Sequence, residues 1–159
     1  MKIKVKEIDC KQFNFNNTQL NNGTIYNIKY NDDVLEFQTP KLLIHECLKE
    51  NGNEYLILQI YGTQACKTFY SKIMEIEDYF NKYLKNTINS VFKEQMLTVK
   101  IPIKYSKPTV KVYKDDSLFN YYNLVKDTEV ICIVSLDKLW INNFNEASYK
   151  LTVKEILIV

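Results

Sequence analysis

The chain opens on alternating charged and apolar side chains, with Lys2, Lys4 and Lys6 on one side and Ile3, Val5 and Ile8 roughly on the other. A period of two predicts a strand with one wet face. The polar stretch FNFNNTQLNNG, residues 13–23, reads as a loop. Residues 24–30 and 34–39 are strand-like runs, and Asn31-Asp32-Asp33 between them suits a tight hairpin turn. Pro40 ends the second run. The segment KLLIHECLKENGNE fits either a continued strand or a short helix, closed by a turn at Asn51-Gly52-Asn53. Residues 55–61 alternate cleanly: Leu56, Leu58 and Ile60 point one way, and Tyr55, Ile57, Gln59 and Tyr61 the other.

One long helix is predicted over 69 to about 92. Ile73, Ile76, Phe80, Leu84, Ile88 and Val91 recur at steps of three and four and make one apolar stripe. Thr68 is its expected N-cap. Strands resume at 97–105, 109–114, 129–136 and 149–158, and residues 115–128 form a polar, aromatic connection. No internal repeat, low-complexity tail or linker interrupts the chain, so 1–159 is expected to be a single domain. Strands, one helix, then more strands predict a mostly β fold. The expected architecture is an OB-fold-like, partly closed five-stranded barrel with extra strands, its helix between the third and fourth barrel strands. An α+β roll is the alternative.

Charge changes this picture locally. The formal net charge is only +2, yet residues 97–114 carry five lysines and no acid. Alternation puts Leu97, Val99, Ile101 and Ile103 on one face and Lys100, Pro102 and Lys104 on the other. After a turn at Ser106-Lys107-Pro108, Val110 and Val112 go inward, and Lys111 and Tyr113 outward, next to Lys114. Two readings fit a basic outer face of this kind. Lysines protect edge strands from aggregation, and cations beside rings also make a groove for single-stranded nucleic acid. All 21 basic residues are lysine. Lysine grips phosphate as a point charge but lacks the bidentate fork with which arginine reads guanine. Tyr55, Tyr61 and Tyr113 sit opposite apolar strand faces and are candidate stacking platforms; Trp140 is either another or packing at a barrel end beside Phe144.

Catalytic chemistry finds few residues. Gly23, Gly52 and Gly62 are isolated from one another, so no glycine-rich phosphate loop exists. His45, the only histidine, stands next to Glu46 and Cys47 but has no identifiable orienting partner. Glu75, Glu77 and Asp78 read as the solvated side of the helix rather than a metal site. Cys10, Cys47, Cys66 and Cys132 form no Cys-x-x-Cys pair, so reduced, mostly buried thiols are expected. No enzyme activity, metal or cofactor is predicted. No apolar run is long enough to span a bilayer, and the amino terminus does not read as a signal peptide, so an intracellular protein without membrane contact is expected.

The C-terminal stretch EVICIVSLDKLWINNFNEASYKLTVKEILIV runs from an apolar strand through Leu136-Asp137-Lys138-Leu139-Trp140 and a short polar loop to a final strand. With Phe37-Gln38-Thr39-Pro40 before a strand, Tyr79-Phe80 on the helix and Lys107-Pro108-Thr109-Val110-Lys111-Val112, it resembles the single-stranded DNA-binding proteins of nucleocytoplasmic large DNA viruses. That family is similar to the single-stranded DNA-binding proteins of certain short-tailed phages. The resemblance spans roughly 34–159. It implies an OB-fold, sequence-independent binding of single-stranded DNA in replication, recombination or repair, and a location in a cytoplasmic viral factory or the host nucleus. Viral replication proteins and a second copy of the chain are the protein partners it allows. Two departures stand out: Glu146-Ala147-Ser148 replaces an expected glycine, and the acidic C-terminal tail of the phage proteins, used for recruitment, has no counterpart in Ile156-Leu157-Ile158-Val159. The expected nucleic-acid-binding residues are Lys100, Lys104, Lys107, Lys111, Tyr113, Lys114, Tyr55, Tyr61 and Trp140. The rival reading is a non-enzymatic structural or protein-interaction module on the same barrel.

Overall fold

A computed structural model describes residues 2–159; Met1, where the first predicted strand begins, lies outside the described residues. The described residues form sixteen strands and one α-helix, with three short 3-10 turns. An N-terminal hairpin of β1 (Phe13–Leu20) and β2 (Gly23–Tyr30) leads to β3 (Leu35–Gln38), β4 (Leu42–Glu50) and β5 (Asn53–Gln59). Helix α1 (Gln64–Leu84) follows, then β6 (Ile88–Asn89), β7 (Phe92–Lys93) and β8 (Met96–Ile101). The rest are β9 (Ile103–Lys104), β10 (Lys107–Pro108), β11 (Lys111–Lys114), β12 (Ser117–Phe119), β13 (Glu129–Leu136), β14 (Lys138–Asn142), β15 (Ala147–Tyr149) and β16 (Thr152–Ile158).

Five of these close a barrel in the order β4–β5–β8–β16–β13 and back to β4. Every pairing is antiparallel except β8 with β16, which the bridge Thr152–Lys100 and the bond from Lys100 N to Leu151 O (2.8 Å) make. Taken in chain order, the ring reads 1-2-3-5-4, an OB-fold-like barrel with extra strands, as the alternation predicts. Leu42, Leu56, Leu58, Leu97, Val99, Val130, Val134 and Val153 are fully buried inside it. Strand β13 runs on beyond the barrel into β14, and β15 leads back into β16, so the β14–β15 hairpin stands out as an arm. That arm joins the N-terminal hairpin in a second sheet, β1-β2-β14-β15-β6.

The helix sits between the second and third barrel strands, not the third and fourth. It starts earlier than predicted, because Thr63 rather than Thr68 caps it, accepting from Cys66 N at 3.2 Å. It also ends earlier. Lys85 adopts a left-handed φ of 53° and Asn86 N bonds back to Asn81 O (3.2 Å), while Asn81 Oδ1 takes Ile88 N (2.8 Å). Ile88 and Val91 are still buried, but from strand and turn. They continued the helical period without continuing the helix.

Four other expectations change. Residues 13–20 are strand, not loop: their asparagines face water while Phe13 and Phe15 pack against the helix residue Phe80. Val5–Glu7 are a 3-10 turn, with only a bridge from Lys2 to Glu36. Asn31-Asp32 do make the tight turn, both at positive φ, but the strands around it part into different sheets. Finally, residues 97–114 are not one hairpin. Strand β8 pairs with β5, and β11 pairs with β16 and β12. Only Ile103-Lys104 and Lys107-Pro108 pair with each other, across a turn at Tyr105-Ser106 rather than Ser106-Lys107-Pro108. Pro102 supplies the break, since proline cannot donate to a ladder.

Candidate nucleic-acid interface

On β5 the even positions go into the barrel, leaving Tyr55, Ile57 and Gln59 on its outer surface. Their partners on β8 are Lys100, Thr98 and Met96. Thr152 lies on the far side of Lys100, so Tyr55, Lys100 and Thr152 form one row across three barrel strands. Two residues before Thr152, Lys150 lays its Nζ 5.1 Å from the centre of the Tyr55 ring. At that distance the ring face attracts the cation and holds it over the row.

The arm supplies the second wall. Trp140 on β14 stands in register between Ile25 of β2 and Ser148 of β15. Its indole lies across the backbone of Gly23: a Cβ there would meet the Ile141 carbonyl oxygen and come within 2.8 Å of the ring. Only glycine leaves room for that packing. Between arm and barrel is a depression of about 340 Å³. Lys100, Lys138 and Lys150 line it with Ile25, Trp140 and Thr152, against a single carboxylate, Asp137. The site therefore combines two rings with three ammonium groups on the β5–β8 side of the barrel. OB-folds use that face, between the loops after their first and fourth strands, for oligonucleotides.

Of the residues expected from sequence, Tyr55, Lys100 and Trp140 meet here. Lys138 and Lys150 were not anticipated; each lies in a short polar interval whose position depends on the barrel closing. Lys104 and Lys107 face each other on the 103–108 hairpin, which leaves the barrel directly after β8. Lys111, Tyr113 and Lys114 lie on β11, further along β16: Lys111 pairs with Glu155, Tyr113 with Leu157, and the Lys114 Nζ sits 5.9 Å from the Phe119 ring. Tyr61 follows the other end of β5, beside Gly62, Cys66, Tyr70 and Gln95. Its phenol is held above the usual range by burial first and then by Glu129, which is the wrong sign of charge for phosphate.

Groups suited to covalent chemistry are damped. Burial pushes the Cys132 thiol up to about 12 and, with Glu75 adding to it, the Cys10 thiol up to about 11. Cys47 is exposed rather than buried, yet it too is shifted up, first by desolvation, so the thiolate a nucleophile needs is disfavoured. Glu77 does not belong to a solvated face: it is buried and accepts hydrogen bonds from the Tyr149 and Ser90 hydroxyls. Glu75 pairs with Lys72 at 2.7 Å. Among the described residues no cluster of His, Cys, Asp or Glu could hold a metal ion, and no helix is long and apolar enough to cross a membrane.

No protein-family model matches the chain, and no curated protein is similar to it in sequence. The fold is similar to the crystal structure of gp2.5, a single-stranded DNA-binding protein encoded by bacteriophage T7. The two share 11% identity at a TM-score of 0.53, over 79% of this chain and 86% of that one. At that identity the likeness establishes a shared fold.

Proposed function

We propose that this chain binds single-stranded DNA without sequence preference and has no catalytic role. The observation that carries the reading is the convergence of Trp140 with Lys100, Lys138 and Lys150 in one depression on the oligonucleotide-binding face of the barrel, with Tyr55 beside it, paired with Lys100 and under the Lys150 ammonium. The mechanism is passive. Ammonium groups replace counterions along the phosphates, and the rings hold unstacked bases. Lysine-only chemistry suits a backbone grip rather than base reading. The likeness to a phage protein that binds single-stranded DNA supports the same reading. With the sequence resemblance to large-DNA-virus proteins, it suggests a role in viral replication, recombination or repair, in a cytoplasmic factory or the host nucleus, alongside viral replication proteins.

A second reading, a protein-interaction module, is favoured by one feature. Leu118, Tyr113 and Leu157 form a row across β12, β11 and β16, and Leu118 is 75% exposed. Anisotropy with labelled oligo-dT over a salt series separates the two. The three lysines of the depression alone predict a slope of log K against log salt of about −2 for a single strand, and any further phosphate contact makes it steeper. Absence of binding at low salt would favour the interaction module.

A further inference from the structure

Consecutive residues at positive φ occur at four turns among the described residues: Asn31-Asp32, Asn51-Gly52, Tyr105-Ser106 and Asp115-Asp116. Three use the residues that tolerate this conformation, Asn, Asp and Gly. The fourth places a tyrosine at φ 53°, where a bulky side chain is disfavoured. Nothing in the fold compensates. Tyr105 is 89% exposed, and its hairpin, β9 with β10, is a two-stranded ribbon paired to no other strand. Two-stranded ribbons are marginal by themselves. A local choice that folding disfavours, with no packing in return, points to a ligand.

The chemistry around the ring says which kind. Lys104 and Lys107 face each other behind the tip, the Lys104 Nζ lies 5.5 Å from the Tyr105 ring centre, and residues 95–114 contain no acid. Edge protection does not explain these lysines, because they guard no barrel strand. The ribbon is also rooted beside the depression: the bond from Thr109 N to Pro102 O (2.9 Å) closes its base two residues past Lys100. Four residues from Lys100 to Lys104 reach at most about 14 Å.

We infer that the 103–108 hairpin is a second contact for the same DNA strand, with Tyr105 stacking on a base beyond the depression and Lys104 and Lys107 gripping the phosphates on either side of it. This rests on the single-stranded DNA reading above. Trp140 is the only tryptophan, so its emission reports occupancy of the depression separately from total affinity. The test is Tyr105→Asn, which installs a residue the turn prefers, measured with oligo-dT by Trp140 quenching and by thermal melting. The expected result is a melting temperature equal to or above wild type, undiminished quenching at saturation, and affinity weaker by roughly five-fold or more, the loss of one stacked base. Tyr105→Phe should bind as wild type. Unchanged affinity in Tyr105→Asn, with normal quenching, overturns the inference and leaves the single-stranded DNA reading standing. No quenching or binding by wild type overturns both.

Discussion

At the scale of single residues, the clearest case is a carboxylate on the buried side of the helix. Glu77 is turned into the protein, where it accepts from the Tyr149 and Ser90 hydroxyls, with Val91 N at 3.4 Å. Burial first, and Glu77 second, hold the Tyr149 phenol well above its ordinary range, so it stays a donor. The group ties α1 to β15 and thereby fixes the root of the arm that carries Trp140. Glu77→Ala leaves the buried Tyr149 hydroxyl without its acceptor and should cost about 2 kcal/mol in urea unfolding. Glu75→Ala, one turn face away and exposed, should change stability far less. The pattern groups Glu75, Glu77 and Asp78 as one wet face because acids usually are one; a buried acid shows only when its buried partner, Tyr149, 72 residues away, is brought to it.

At the scale of elements, the arm and the barrel meet through strands that belong to both. Only Asp137 separates β13 from β14, and its carbonyl takes Ile28 N at 2.8 Å, which carries β2 onto the arm. Gly23 is the tightest point of that junction. Gly23→Ala should force β2 away from β14, lower stability by about 1–3 kcal/mol and shift the Trp140 emission toward that of an exposed indole. Part of this was legible: the strand expected over 129–136 is β13, those expected over 55–61 and 149–158 overlap β5 and β16 but end at Gln59 and begin at Thr152, and Leu97, Val99 and Ile101 point inward as the alternation predicts. The failures have common causes. An edge strand rich in asparagine, β1, looks like a loop because its partner rather than its composition makes it a strand. Helix ends were displaced because caps at Thr63 and Lys85 outweigh the apolar period. The basic run 97–114 read as one hairpin because lysines and valines alternate throughout it, whereas Pro102 and the parallel pairing with β16 divide it in two. For the same reason three residues of the candidate site, Tyr55, Lys100 and Trp140, were visible from sequence, and two, Lys138 and Lys150, were not.

At the scale of the whole molecule, a chain of net charge +2 is not a polycation, so the DNA binding proposed for it rests on where the charge is placed. The barrel closure sets Lys100 beside Thr152 and so brings Lys150 over Tyr55; the arm adds Lys138 and Trp140. Lys111 and Lys114 lie on another stretch of the sheet, near Glu155 and Phe119. The central claim is that DNA occupies the first of these surfaces. Its most direct test compares two double charge reversals of exposed or half-exposed lysines, Lys100→Glu with Lys150→Glu and Lys111→Glu with Lys114→Glu, for oligo-dT affinity at one low salt concentration. The account predicts that the first pair loses affinity by roughly ten-fold or more while the second loses much less. Equal losses, or a larger loss in the second pair, would contradict it.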